Sequence, residues 1–194
     1  SKKIFNKISD LLLDSLAFIC SPDKGLHKEE NCMNGFKEVM EKLQERNIEV
    51  QLVEHEAAFT MEDADRAIEG IPGVRTKTLF LMNKKKTKFY LLIMDEDKRL
   101  DMSAFKDLVD DRQLKMASEE MLYEKLGLQP GGVSPFGLLN NKDGDVEVFV
   151  DQDIAGEERM SFHPNTNEKT IFIKTVDLYS FLENIGHPVK TVLL

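Results

Sequence analysis

Cysteine is scarce in this chain, and recognisable metal-binding patterns are missing. Cys20 and Cys32 are the two cysteines among 194 residues, too few for a disulfide framework or a thiolate metal set. Both lie in the N-terminal segment, and a reduced, cytoplasmic protein is the expectation. His27, His55, His163 and His187 are far apart and lack the spacing of a zinc site, so neither metal nor cofactor is expected. No apolar run reaches 18 residues, so no membrane span is expected. Residues 11–20 have the length of a signal core. Asp14 interrupts them and no clean small-residue cleavage site follows, so secretion is not expected. Internal repeats and low-complexity segments are absent, as are Gly-x-Ser-x-Gly, Walker, dinucleotide-binding and His-Glu-x-x-His signatures.

What remains is a globular composition. Hydrophobic residues make up 41% of the chain, enough for a core, and a mixed charged fraction of 31% argues against global disorder. The length suits one domain, with or without an appendage. A net charge of −9 argues against non-specific duplex binding and against DNA as a partner. It leaves room for a local basic groove, because local potential steers a ligand.

Ile4, Ile8, Leu11, Leu12, Ser15, Leu16 and Ile19 fall at helical spacing, which predicts an amphipathic helix over residues 3–20. Ser21-Pro22-Asp23-Lys24-Gly25 stops it, and residues 26–34 read as a polar linker. A second helix is expected over 35–46, a strand over 48–53, and a short helix opened by Thr60 and ended by Gly70-Ile71-Pro72-Gly73. Residues 78–82 and 89–94 read as a hairpin whose tip carries Lys84-Lys85-Lys86. Short helices over 102–108 and 118–125, strands over 114–116, 146–150 and 170–174, a helix over 176–184 and a terminal strand over 189–193 complete the pattern. The result is an α+β domain over residues 35–194, with a mixed, curved sheet and flanking helices, preceded by a helical extension over 1–34.

Three stretches are chemically dense. Gly131-Gly132-Val133-Ser134-Pro135 is a bare-backbone loop that cannot continue a helix or a strand, and a ligand can approach its amides closely. Phe162-His163-Pro164-Asn165-Thr166-Asn167 clusters polar side chains, and Lys77 puts one cation at the head of an apolar run. Together they suggest a pocket for a small, phosphate-bearing ligand. Taken singly, each has a plainer reading. Lys77 is a solvated lysine at a strand start, the glycine loop a tight connection, His163 a hydrogen-bonded core histidine, Asp151 a turn residue and the lysine triplet a solvated tip.

In order along residues 36–194, the chain resembles the YbaK/prolyl-tRNA-synthetase-associated editing domain. The stretches that carry the resemblance are His55 through Thr60, Lys77-Thr78-Leu79-Phe80-Leu81, Leu100-Asp101-Met102, Ala117-Ser118, Leu126-Gly127, the glycine loop and the 162–167 cluster. The Phe-His-Pro-x-x-Asn pattern and Gly186-His187 look most like the free-standing ProX/PrdX branch, which hydrolyses alanyl-tRNA(Pro). The resemblance implies a metal-independent aminoacyl-tRNA deacylase. Lys77, Gly131, Gly132, Ser134 and Pro135 would form its catalytic set, and Thr60, Thr78, His163, Asn167 and Asp151 would bind substrate. It implies the aminoacyl-tRNA(Pro) CCA end as partner. The N-terminal helix lies outside the resemblance, and its apolar stripe is expected to dock on prolyl-tRNA synthetase or on a second copy. Alanyl-specific members carry Asn after the lysine. Thr78 stands there instead, as in the YbaK and synthetase-inserted branches, so a Cys- or Ser/Thr-specific deacylase stays open. A non-catalytic adaptor that keeps the fold stays open as well.

Overall fold

The computed structural model describes residues 4–5, 35–55, 68–166 and 168–194. Most of the helix expected over 3–20, the linker, and most of the short helix opened by Thr60 lie outside the described residues. At the start of the expected first helix, Ile4–Phe5 forms a short strand, β1.

Helix α1 (Phe36–Gln44) begins at Gly35, whose amide donates to Glu38 Oε2 at 3.0 Å, and buries Val39, Met40 and Leu43. Asn47 closes it with a positive φ of 54°, a conformation asparagine tolerates better than most residues. There follow β2 (Val50–Glu54), β3 (Val74–Asn83), β4 (Phe89–Asp95), α2 (Met102–Leu108), β5 (Leu114–Met116) and α3 (Glu119–Leu126). A 3-10 helix (Pro135–Asn140) comes next, then β6 (Val146–Asp151), α4 (Gln152–Ala155), β7 (Arg159–Phe162), β8 (Lys169–Lys174), α5 (Thr175–Asn184) and β9 (Val189–Val192).

The described strands build one mixed sheet in the order β1-β2-β8-β7-β3-β4-β6-β9. Strand β3 is the hinge of this arrangement. Its first residues pair in parallel with β7 (Val74↔Met160, Arg75↔Ser161), and its last pair antiparallel with β5 (Leu81↔Met116, Asn83↔Leu114). Its other edge is occupied along most of its length by β4. β4, β6 and β9 run parallel to one another.

Period-two alternation gives the sheet two apolar faces. Phe80, Met82, Phe89, Leu91, Ile93, Val148 and Val150 point to one side, where α1, α3, α5 and the 3-10 helix cover them. Leu81, Tyr90, Leu92, Met94 and Phe149 point to the other, against Phe105 of α2 and Leu114. Because both faces are covered, the central strand β4 is buried from Phe89 to Met94 and reads as a continuous apolar run.

Gly137 marks a tight contact between α3 and the 3-10 helix. A Cβ there would sit 2.6 Å from Leu128 Cδ1 and 3.1 Å from the Leu126 carbonyl oxygen. Asn140 Nδ2 donates to that same carbonyl at 2.9 Å. The glycine loop is therefore fixed from its C-terminal side.

Candidate active site

Burial along β3 changes abruptly. Its first six residues, Val74 to Leu79, are half-buried, and its last four are buried. Around this open half lie the C-terminal ends of β2, β4, β6 and β7, a consequence of the mixed strand directions. Ligands favour such strand ends, where backbone and loop residues are free to present polar groups.

Lys77 and Thr78 sit in this open half, on opposite faces. Lys77 shares its face with Leu79 and Leu81, and its Nζ donates to the carbonyl of Glu96 at 2.8 Å. An ammonium has three donors, so this bond anchors the lysine and leaves two for a ligand. Thr78 shares its face with Phe80, above which the 3-10 helix packs. Next to it, Thr76 Oγ1 donates to the Ser161 carbonyl at 2.6 Å, welding β3 to β7.

His163 follows directly on β7. Its Nδ1 lies 2.9 Å from the Lys169 carbonyl, which can only accept, so Nδ1 carries the proton and Nε2 is left as an acceptor. Burial pushes its pKa below the ordinary histidine value; the bond to Lys169 opposes this and the neighbouring His55 adds to it. The His55 ring stands edge-on to His163 at 6.1 Å, with Nε2 of His55 3.1 Å from Thr170 Oγ1. This histidine pair escapes a sequence reading. The partners are 108 positions apart (163 − 55) and meet because β2, β8 and β7 are sheet neighbours.

The glycine loop belongs to the Thr78 side of the sheet. Gly131 is exposed, adopts a φ of +84°, and has open space where a Cβ would be. The Gly132 amide donates to the Gln129 carbonyl at 3.1 Å. Ser134 is fully buried, and its Oγ accepts from the Phe136 amide at 3.3 Å, capping the 3-10 helix. Pro135 is buried at the first position of that helix, where a missing N–H costs nothing. Phe136 then packs edge-on against Phe162 at 6.1 Å, coupling the loop to the strand that carries His163.

Asp151 is fully buried at the end of β6. Its two carboxylate oxygens lie 3.0 and 2.8 Å from Lys98 Nζ, and Oδ1 also accepts the Leu194 amide at 3.3 Å. Lys98 reaches Asp153 as well, at 2.7 Å. Both carboxylates hold the Lys98 ammonium above its usual pKa, Asp151 contributing most. Lys98 belongs to the segment after β4 whose Glu96 carbonyl anchors Lys77, so Asp151 supports that segment at one remove. Thr60 and Asn167 lie outside the described residues. His187 is a core histidine whose Nδ1 donates to the Val146 carbonyl at 3.0 Å.

Arg75 is a residue the sequence reading passed over. Its guanidinium donates to the Gly73, Ile68 and Ile71 carbonyls and lies 4.9 Å over the Phe172 ring, with Arg159 also against that ring at 5.3 Å. Both are structural cations: Arg75 pins the Gly70–Gly73 turn beside the site, and Arg159 donates to Gln51 Oε1 at 2.9 Å. Among the described residues, no group of three or more His, Cys, Asp and Glu is placed to hold a metal ion. No described helix is long and apolar enough to cross a membrane.

A family model for the aminoacyl-tRNA editing domain matches residues 55–181. The chain is 33% identical over 163 residues to prolyl-tRNA editing protein ProX of Acetoanaerobium sticklandii, a match covering 84% of this chain and 99% of that protein. It is likewise 33% identical over 153 residues to prolyl-tRNA synthetase associated domain-containing protein 1 of Danio rerio, covering 78% of this chain and 83% of that one. The crystal structure of a candidate trans-editing enzyme for prolyl tRNA synthetase superposes with a TM-score of 0.64 at 23% identity, over 82% of this chain and 96% of the other, which establishes likeness of fold. With a matched domain that spans the open half of β3, the glycine loop and the His163 strand, the chain belongs to the aminoacyl-tRNA editing domain family.

Proposed function

We propose that this protein is a trans-editing hydrolase that deacylates mischarged tRNA(Pro), with alanyl-tRNA(Pro) as its main substrate. The observation that carries this reading is the match to ProX across 99% of a protein named for prolyl-tRNA editing. The geometry is compatible with it. An aminoacyl ester is already activated, so the protein has to place a water and stabilise the charge that develops, without supplying a covalent nucleophile. Ser134 suits this, because its hydroxyl is buried in a helix cap rather than poised to attack.

Exposed backbone at Gly131 would meet the tetrahedral oxyanion, and Gly132, whose amide is held by the Gln129 carbonyl, would shape the loop beside it. Lys77, held by Glu96, would bind the terminal phosphate with its remaining donors. His163, kept neutral by burial, would use Nε2 to accept a hydrogen bond from the substrate's amino group or from water. The ribose 2′-hydroxyl would help to move the proton, and no side chain is assigned as general base. Selection between alanine and proline would rest on size, since a pocket can exclude a bulkier ring strongly while attracting a small one only weakly. Thr78 supports a second reading, a Cys- or Ser/Thr-specific deacylase, because it alters the residue beside the phosphate-binding lysine.

Purified protein added to alanyl-tRNA(Pro) is expected to release alanine with multiple turnovers, well above spontaneous hydrolysis. Release no faster than in buffer would remove the hydrolase reading and leave the adaptor.

A further inference from the structure

The far end of β3 carries a feature that ester hydrolysis leaves unused. The turn joining β3 to β4 and residues 110–113, between α2 and β5, enclose a cleft of about 520 Å³ with Lys84, Lys85, Lys88 and Arg112 in its wall. Asp110 and Asp111 share the wall, so four cations face two carboxylates on a chain whose net charge is −9. Asp111 Oδ1 already accepts the Gln113 amide at 3.0 Å. All four cations are in exposed positions, and none is ion-paired to a carboxylate among the described residues. Lys86 alone in the turn has such a partner, Glu120 at 3.9 Å, an exposed pair of little energetic weight.

The cleft stands on fixed backbone. Buried Asn83 accepts the Thr87 and Lys88 amides through Oδ1 at 2.8 and 3.3 Å and donates to Thr87 Oγ1 at 3.0 Å. The Lys84 amide donates to the Gln113 carbonyl at 2.9 Å, tying one wall to the other. Backbone already ordered in this way lowers the cost of binding. A fixed, net-positive cleft on an otherwise acidic protein concentrates its attraction for a polyanion at one place.

Position narrows the partner. Seven residues of extended strand, at about 3.3 Å each, put Lys84 about 23 Å from Lys77. Residues 110–113 lead from α2 to β5, on the face of the sheet that Lys77 shares with Leu81 and Phe105. An RNA whose single-stranded 3′ end lies at Lys77 has stem phosphates at this range, and stems are bound through backbone charge and shape. We propose that this cleft binds the phosphodiester backbone of the RNA substrate's double-stranded stem. This rests on the editing reading for where the 3′ end lies.

The test compares the full chain with a K84Q/K85Q/K88Q/R112Q variant. The probes are an uncharged stem-loop RNA ending in CCA and a short single strand ending in CCA, followed by fluorescence anisotropy. At low salt the variant should bind the stem-loop at least about tenfold more weakly, with a salt slope shallower by about 2–4. Its binding of the short strand and its circular dichroism should match the wild type, and K84R/K85R/K88R should retain stem binding. Unchanged stem-loop affinity in the glutamine variant would overturn the proposal and assign the cleft to a different partner. Equal loss on both RNAs, or no stem-loop binding by the wild type, would overturn it too. A stem-specific loss in a protein that deacylates no aminoacyl-tRNA would uphold the cleft and sink the editing reading.

Discussion

The loop at Gly131 and the junction at Asp151 are both parts of the candidate site, and they are built in opposite ways. Gly131 is exposed, holds a left-handed φ, and leaves open space where a side chain would stand. Asp151 is fully buried, with its carboxylate engaged by Lys98 and by the Leu194 amide. An open backbone can meet a ligand without first breaking anything. A buried, partnered carboxylate can change its partners only by giving up bonds to charged groups, each worth about 1.5–3 kcal/mol. We therefore read the loop as contacting substrate and the junction as frame.

Gly131→Val should show the largest effect. The space around the Cβ is free, so the damage comes from forcing a β-branched residue to positive φ, about 1–2 kcal/mol or more, and from blocking backbone approach. Hydrolysis should be abolished while circular dichroism stays that of a folded protein. Wild-type turnover in this variant would reduce the loop to a connector.

Asp151→Asn sharpens the other half of the contrast. It should lower unfolding free energy by about 1.5–3 kcal/mol in urea titrations, with turnover per folded molecule largely kept. Normal stability with lost turnover would move Asp151 into the substrate site.

Lys77 lies between these extremes, anchored once and otherwise available. Lys77→Ala should slow deacylation by about one to two orders of magnitude, the loss of one charge-assisted phosphate contact. Its melting temperature should change little, because one bond to the Glu96 carbonyl is lost from a half-buried side chain. Unaltered rates would take Lys77 out of the site.

The smallest effect concerns pH. His163 has a folded-state pKa below that of the unfolded chain, so the unfolded state takes up its proton first on acidification. Stability should fall as pH drops below about 6.5 and level off once the folded imidazole is protonated. Denaturation midpoints across this window should flatten in His163→Gln. An unchanged slope would show that His163 is not the group responsible.

Local signals made much of the frame readable in advance. Met102–Leu108 and Leu114–Met116 have the expected bounds, and Ser118 caps α3 by accepting the Met121 amide. Strand β3 begins four residues earlier than expected, because Val74 to Lys77 carries a polar pattern suited to its half-open position. Strand β7 carries no local sequence signal. It is four residues long, and its pairing with β3 and β8 comes from partners far away in sequence. The 3-10 helix after Ser134 looks like a loop in sequence, since its cap and proline are also turn signals. The candidate residues could be named from motifs. That Ser134 is a buried cap, that Asp151 is tied to Lys98, and that His55 meets His163 depend on tertiary neighbours that no local pattern encodes.

The most direct test of the account is a deacylation panel of alanyl-, seryl-, cysteinyl- and prolyl-tRNA(Pro) with the wild-type protein. The account predicts rapid loss of alanine and near-complete sparing of proline. Preferential loss of cysteine, or comparable loss of proline, would contradict it.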